Sequence, residues 1–520
     1  MRSRINRHLH HDFDVLADPR WSPTALLRTR RRRPRRRVTE QRTPYPPSEL
    51  TWRDYAVFLL HVAAEIEHSL MVQYLYAAYS LGGPQVPADQ MERIRQWQET
   101  ILGVAKEEMG HLITVQNVLL LLGAAPSLDR QDYPWDSEFY PFTFHLRPLT
   151  LGSLATYVCA ESPATWRTKE AREVRRRAEI AATGHVNNVG RLYARLIDIL
   201  ADESRVPDSA FQTSAPMRQA SWDEFGRGYG KGVTGQETGN VKGIKAAELI
   251  IWQCDSRGAA VAALSEVGEQ GEAFDHIAAD TAAGGGPPVA GEVSHFHRFL
   301  DMYREMARLG PKARKLTRNL VQNPRTSPLI DIARRTRGHG TGPAFAYTRS
   351  KQTGDVITNR LAYCWCHLFN LRYRILLMDL AHALQYSRGA TNGDTSKRGY
   401  LINSMFGEMY HLRAIAGRIV QLPAEPRRNQ QLLAGPPFEM PYSLRLPDSE
   451  VERWRLHSDL YKAAQFQIQR TVDELDDSEP ESTKSREYLA SLAESDQWAL
   501  QAIEKWILSP TPSSVTSVPM

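Results

Sequence analysis

The chain has 520 residues, 42% hydrophobic and 24% charged, an ordinary globular composition for which one small core is too little. Its net charge of +6 is confined to the start, because residues 1–37 hold 12 Lys+Arg against 3 Asp+Glu while the remainder holds 53 against 56. That distribution excludes a fold that is basic throughout, and four cysteines (Cys159, Cys254, Cys364, Cys366) in so long a chain exclude a disulfide framework.

Arg30 to Arg33, Pro34 and Arg35 to Arg37 form a block of like charge that predicts a disordered tail over residues 1–47. No aromatic residue interleaves with these arginines, so nucleic acid is not an expected partner. No apolar core of a secretory signal follows the basic stretch. No run approaches the ~18 apolar residues of a membrane span, and a cytoplasmic location is expected.

From Leu50 the signal is helical. Leu59, Leu60, Ala63, Ala64, Ile66, Leu70 and Tyr74 recur at helical spacing, and Gly82-Gly83-Pro84 stops them. A second helix is expected from Ala88 to Leu122, ending at Gly123 with Pro126 beyond. Residues 127–148 read as a long loop rich in aromatics, including Tyr133, Trp135, Phe139, Tyr140 and Phe142, and so as a candidate lid. Helices are then expected over 151–161, 164–201, 255–272 and 292–309. A basic stretch over 310–350, punctuated by Gly and Pro, reads as a linker. Four more helices are expected near 355–386, 395–420, 448–476 and 482–508, with a frayed end over 509–520. The fold class is all-α: one four-helix bundle, then a second helical bundle.

Three acidic signals share one spacing: Glu67, Glu108-Met-Gly-His111 and Glu292-Val-Ser-His295. An ExxH pair puts carboxylate and imidazole on one helix face. Such pairs, with single glutamates from other helices, make the inward-facing box that holds two iron or manganese ions. Glu67 projects from an apolar stripe, where an isolated charge is costly unless paired or ligated. Glu65 and Glu107 are the neighbours expected to face water, and Tyr74 lies two turns from Glu67 on the same face. Carboxylates with two imidazoles suit hard iron or manganese, whereas structural zinc sites favour thiolates. Glu408-Met-Tyr-His411, with Asp379 and His382, is a weaker constellation that reads as a buried hydrogen-bonded pair. Cys364-Trp-Cys366 reads as core. Arg298, one turn after His295, reads either as a clamp for a substrate carboxylate or as a salt-bridge partner.

The stretch from Leu60 through Glu67 and Tyr74 to Ser80 resembles the opening ferritin-like helix of the iminophenyl-pyruvate dimer synthases, as in bisindole pigment formation. Glu107-Glu108-Met-Gly-His111, Cys159-Ala-Glu161-Ser-Pro163, Val189-Gly190-Arg-Leu-Tyr193, Glu269-Gln-Gly271-Glu272 and Glu292-Val-Ser-His295-Phe-His-Arg298-Phe299 are similar to further motifs of that family, as are Phe369-Asn370 and Ala434-Gly-Pro-Pro-Phe-Glu439. Over residues 50–445 this resemblance implies a ferritin-like dimetal domain (48–310), a linker (311–350) and a carboxyl-terminal helical bundle (351–508). It implies two iron ions, or manganese, held by Glu67, Glu108, His111, Glu292 and His295. Glu269 or Glu161 completes the set; Glu269 is preferred, and Glu272 could replace it. Tyr74 and Arg298 are the candidate catalytic residues. The implied activity is that of a metal-dependent oxidoreductase of specialised metabolism, oxidising or oxidatively coupling an aromatic amino- or imino-acid-derived substrate. A homodimer is the candidate assembly. The alternative is a non-catalytic ferritin-like metal-binding or scaffold protein.

Overall fold

The computed structural model describes residues 46, 47, 49–130, 140–182, 186–225, 249, 251–271, 294–327, 330–334, 345–349, 356–388, 396–426, 432–441, 444–476 and 478–508. Residues 1–45 of the expected tail, the frayed end, Glu272 and Glu292 lie outside them. Two compact units divide at Asn323/Pro324, with Ser387–Ala390 belonging to the first.

In the first unit, α1 (Trp52–Ser80) begins where Thr51 accepts the Asp54 backbone N–H at 3.1 Å, a side-chain cap for an otherwise orphaned donor. It packs along α2 (Met91–Leu121). Gly123 closes α2 at φ +68°, and the Ala124 N–H returns to the Leu119 carbonyl at 2.9 Å, a C-terminal turn that favours glycine. By length and composition alone α1 is long and apolar enough to cross a membrane, as a buried core helix also is. Here 72% of its most apolar window is covered by the rest of the protein.

The helix expected over 164–201 is broken. After α3 (Leu151–Ala160) come α4 (Lys169–Ala182) and α5 (Gly190–Leu200). Between them the Asn187 N–H bonds to the Pro141 carbonyl at 2.6 Å and the Val189 N–H to the Ala160 carbonyl at 3.1 Å. This break lets α5 pack against α1 and α6. The unit ends with α6 (Arg257–Gly271) and α7 (His295–Leu309). Residues 310–323, expected as linker, belong to this unit: Leu316, Leu320 and Val321 are buried, and the Tyr76 hydroxyl donates to the Val321 carbonyl at 2.5 Å. The described half of the aromatic loop is core and not lid, since Tyr140, Phe142, Phe144 and Leu146 are buried. Tyr140 donates to Glu65 at 2.6 Å, so Glu65 is half-buried rather than free in water. Tyr133, Trp135 and Phe139 lie outside the described residues.

The second unit contains an antiparallel hairpin, β1 (Ile330–Arg334) with β2 (Phe345–Arg349), where a linker was expected. Four helices follow: α8 (Arg360–Ala383), α9 (Lys397–Ile419), α10 (Glu450–Asp473) and α11 (Pro480–Leu508). Its largely apolar core encloses a charged cluster. Buried Arg372 grips Asp496 through both terminal nitrogens, at 2.7 and 2.6 Å, and Glu408 at 3.1 Å. Glu408 is thus not paired with His411, which lies 3.4 Å from the Tyr488 hydroxyl. Asp379 and His382 flank His457 instead, at 3.2 and 3.1 Å. Cys364 and Cys366 are buried and unbridged.

Burial, assisted by the neighbouring Asp379 and Asp496, pushes Glu408 up to about 8 despite Arg372. Between the ordinary value of 4.5 and about 8 the folded state holds a proton that the unfolded state releases, so this group's contribution to stability falls as pH rises through that window. Glu408→Gln is expected to flatten that fall, checked by denaturant unfolding at pH 5 and pH 8.

Candidate metal centre

Four elements deliver one cluster of five buried acids and imidazoles. Glu67 comes from α1, Glu108 and His111 from α2, Glu161 from the C-terminal cap of α3, and His295 from the first residue of α7. None of the five is more than 3% exposed. The helical spacing of Glu108 and His111 brings His111 Nδ1 to 3.0 Å from Glu108 Oε2 and 3.4 Å from Glu67 Oε2. Across the cluster, His295 Nδ1 lies 3.1 Å from Glu108 Oε1 and 3.7 Å from Glu161 Oε2. Glu108 thus offers one oxygen to each half.

Two donor groups follow, Glu67–Glu108–His111 and Glu108–Glu161–His295, each with its donor atoms within 4.8 Å of one another; among the described residues these are the groups able to hold a metal ion. The fit to cations shows in the polar atoms. Glu67 Oε2, Glu108 Oε1 and His295 Nδ1 are buried and, despite these close approaches, form no well-aligned hydrogen bond, a costly condition that ligation would relieve.

The surrounding groups orient these side chains. Tyr193 on α5 donates to Glu67 Oε1 and Tyr74 on α1 donates to Glu161 Oε1, which leaves Oε2 of each carboxylate turned inward. Tyr74 also packs edge-on against Tyr157 and at a tilt against Phe299, ring centres 4.8 and 4.9 Å away. Glu107, expected to face water, is buried: it accepts from His295 Nε2 at 2.9 Å and from Arg298 Nη1 at 3.2 Å. That salt bridge is the observed engagement of Arg298. His111 Nε2 lies 2.8 Å from Gln270 Oε1 on α6.

Without metal, the cluster stores protons. Burial and the charge of Glu67 push Glu108 well above the ordinary range. Burial disfavours charge on His295, but Glu108, Glu107 and Glu161 outweigh it and raise the ring to about 10. His111 is raised in the same way, against burial, by Glu67. Glu67 is held low, because His111 and Tyr193 overcome its burial.

Glu269, preferred from sequence as the remaining carboxylate, is not in the cluster. Helix α6 turns Val267, Gly268 and Gly271 toward the cavity, and at ~100° per residue Glu269 falls off that face. It is half-buried beside Glu266, and burial raises it to about 7. Glu161 takes the position instead. The structure therefore brings together Glu67, Glu108, His111, Glu161 and His295, with Tyr74 and Arg298 beside them. The sequence expectations do not include Glu107, Tyr193 and Gln270 as partners of this cluster, although Tyr193 and Gln270 lie within the family-like motifs.

Glycine at 271 matters. A Cβ there would lie 3.0 Å from Glu161 Oε2, a contact so tight that the carboxylate must give way by a few tenths of an ångström. Gly271→Ala favours the helix by up to about 1 kcal/mol, yet it must displace Glu161. The expected outcome is unchanged or raised thermal stability with metal affinity reduced about tenfold or more, read by thermal unfolding and metal titration.

The ferritin-like family profile matches residues 60–304. Dichlorochromopyrrolate synthase of Lentzea aerocolonigenes is 27% identical over 417 residues, which cover 75% of this chain and 36% of that protein. The chain thus spans about a third of that relative's length. No solved structure matches. Residues 60–304 of this chain are a ferritin-like domain, joined to a second helical unit that follows it.

Proposed function

We propose that this protein is a dimetal oxidoreductase of specialised metabolism that oxidises, or oxidatively couples, an aromatic substrate derived from an amino or imino acid. The observation that carries the reading is the pair of donor groups sharing Glu108. Glu67, Glu108 and His111 would hold one ion, and Glu108, Glu161 and His295 the other, with Glu292 a further proposed ligand from the sequence. Iron is the proposed metal and manganese the alternative. Similarity to a protein named dichlorochromopyrrolate synthase supports a small aromatic substrate and a place in secondary metabolism. Four free, buried cysteines agree with the cytoplasm as the proposed location.

When bound, such a metal pair supplies redox chemistry with dioxygen or peroxide as oxidant. The chain's own residues prepare the site. Tyr193 and Tyr74 fix the terminal carboxylates, while Glu107 and Gln270 hold the Nε2 protons and so present Nδ1 of each imidazole inward. Binding must drive off the protons stored on Glu108 and on the two Nδ1 atoms. Metal affinity is therefore expected to rise with pH over the neutral range, with proton release measurable by calorimetry in buffers of different ionisation enthalpy.

The reading is tested by incubating the iron-loaded full chain with 2-imino acids generated in situ from aromatic amino acids, with dioxygen or hydrogen peroxide. A product of substrate oxidation or oxidative dimerisation, seen by mass spectrometry and lost with metal removal, supports it. Stoichiometric metal without turnover across that substrate class favours the non-catalytic alternative.

A further inference from the structure

The two imidazoles of the box are backed by unlike acceptors. Behind His295 stands Glu107, a buried carboxylate whose Oε2 lies 2.9 Å from Nε2. Arg298 grips the same carboxylate through both terminal nitrogens. Because Arg298 follows His295 by one turn of α7, the three side chains close a ring between α2 and α7. Behind His111 stands Gln270, a neutral amide 2.8 Å from Nε2, half-buried in the last turn of α6. An ionised acceptor makes the stronger hydrogen bond and feeds more electron density into the ring. A carboxylate held from two sides also loses less freedom when the ring is fixed.

We propose that the two halves of the centre are unequal: the Glu108–Glu161–His295 half binds its cation more tightly than the Glu67–Glu108–His111 half, and Glu107 and Gln270 are the positioning residues that set the difference. The inference rests on the dimetal reading above. One ion is then retained and the other exchangeable, and the exchangeable one sits against Tyr193 and the carboxyl-terminal turn of α6.

The test is anaerobic titration of the metal-free full chain with cobalt(II), followed by equilibrium dialysis and the visible absorption of the bound ion. Two classes of site differing about tenfold or more are expected. Glu107→Gln should weaken the tighter class by about 10–100-fold, the usual effect of an outer partner, and move the weaker class little. Gln270→Glu should tighten the weaker class and narrow the gap; this residue is half-buried at a helix end, so the variant reports even if Glu107→Gln does not fold. Two ions of equal affinity in the parent, or a Glu107→Gln effect spread evenly over both classes, would overturn the inequality and leave the dimetal reading standing. Failure to bind cobalt at all would instead sink the dimetal reading and this inference with it.

Discussion

Glu108→Gln is expected to remove both metals at once. Glu108 Oε1 lies 3.1 Å from His295 Nδ1 and Oε2 lies 3.0 Å from His111 Nδ1, so one side chain serves both donor groups. An amide of the same shape has one oxygen and a pair of N–H donors, and it cannot offer an anionic oxygen to two cations. Stoichiometry should fall from about two ions per chain toward zero, with affinity at either half reduced well beyond the 10–100-fold of an outer partner. Glu67→Gln and Glu161→Gln should each empty one half and spare the other. Fold is expected to survive, since burial already favours the protonated, neutral form of Glu108 in the metal-free state. Elemental analysis of the dialysed proteins reads all three results. Retention of two ions by Glu108→Gln would contradict the shared-ligand geometry.

The second large effect belongs to the second unit. Arg372→Met should destabilise it by about 3–5 kcal/mol, the magnitude for breaking a buried ion pair by removing one partner. Arg372 is completely buried and holds Asp496 by two bonds and Glu408 by one. Its loss leaves Asp496 and Glu408 without their shared cation, a cost that protonation of the acids relieves. The loss should be smaller at pH 5 than at pH 8, because burial raises both acids and they bind those protons more readily as pH falls. Cobalt binding at the Glu108 centre should not change. Denaturant unfolding at the two pH values, beside a metal titration of the folded variant, reads both results. Equal destabilisation at both pH values would mean that the guanidinium acts by filling space and not by its charge.

What could be read from the sequence follows from what periodicity reports. Glu67 stood out because an apolar stripe surrounds it, and Glu108 with His111 because their spacing is local to one helix. Choosing Glu161 over Glu269 required knowing how α6 is rotated about its own axis, which three-dimensional packing sets and sequence spacing does not. The break between α4 and α5 was hidden because residues 164–201 are good helix formers on both sides of it. Its hydrogen bonds run to Pro141 and Ala160, which are remote in sequence. Glu107 was misassigned to solvent for a related reason. It lies beside Glu108 on one helix, and His295 and Arg298 arrive from α7, remote in sequence, to pair with it. In the second unit, Glu408 and His411 have the spacing of a ligand pair, but Arg372 captures the carboxylate and leaves the imidazole facing Tyr488.

The most direct test of the central claim is anomalous diffraction from crystals of the full chain loaded with manganese(II). The geometry predicts two peaks flanking Glu108, one shared with Glu67 and His111 and the other with Glu161 and His295. A single peak away from Glu108, or none at stoichiometric manganese, would contradict it.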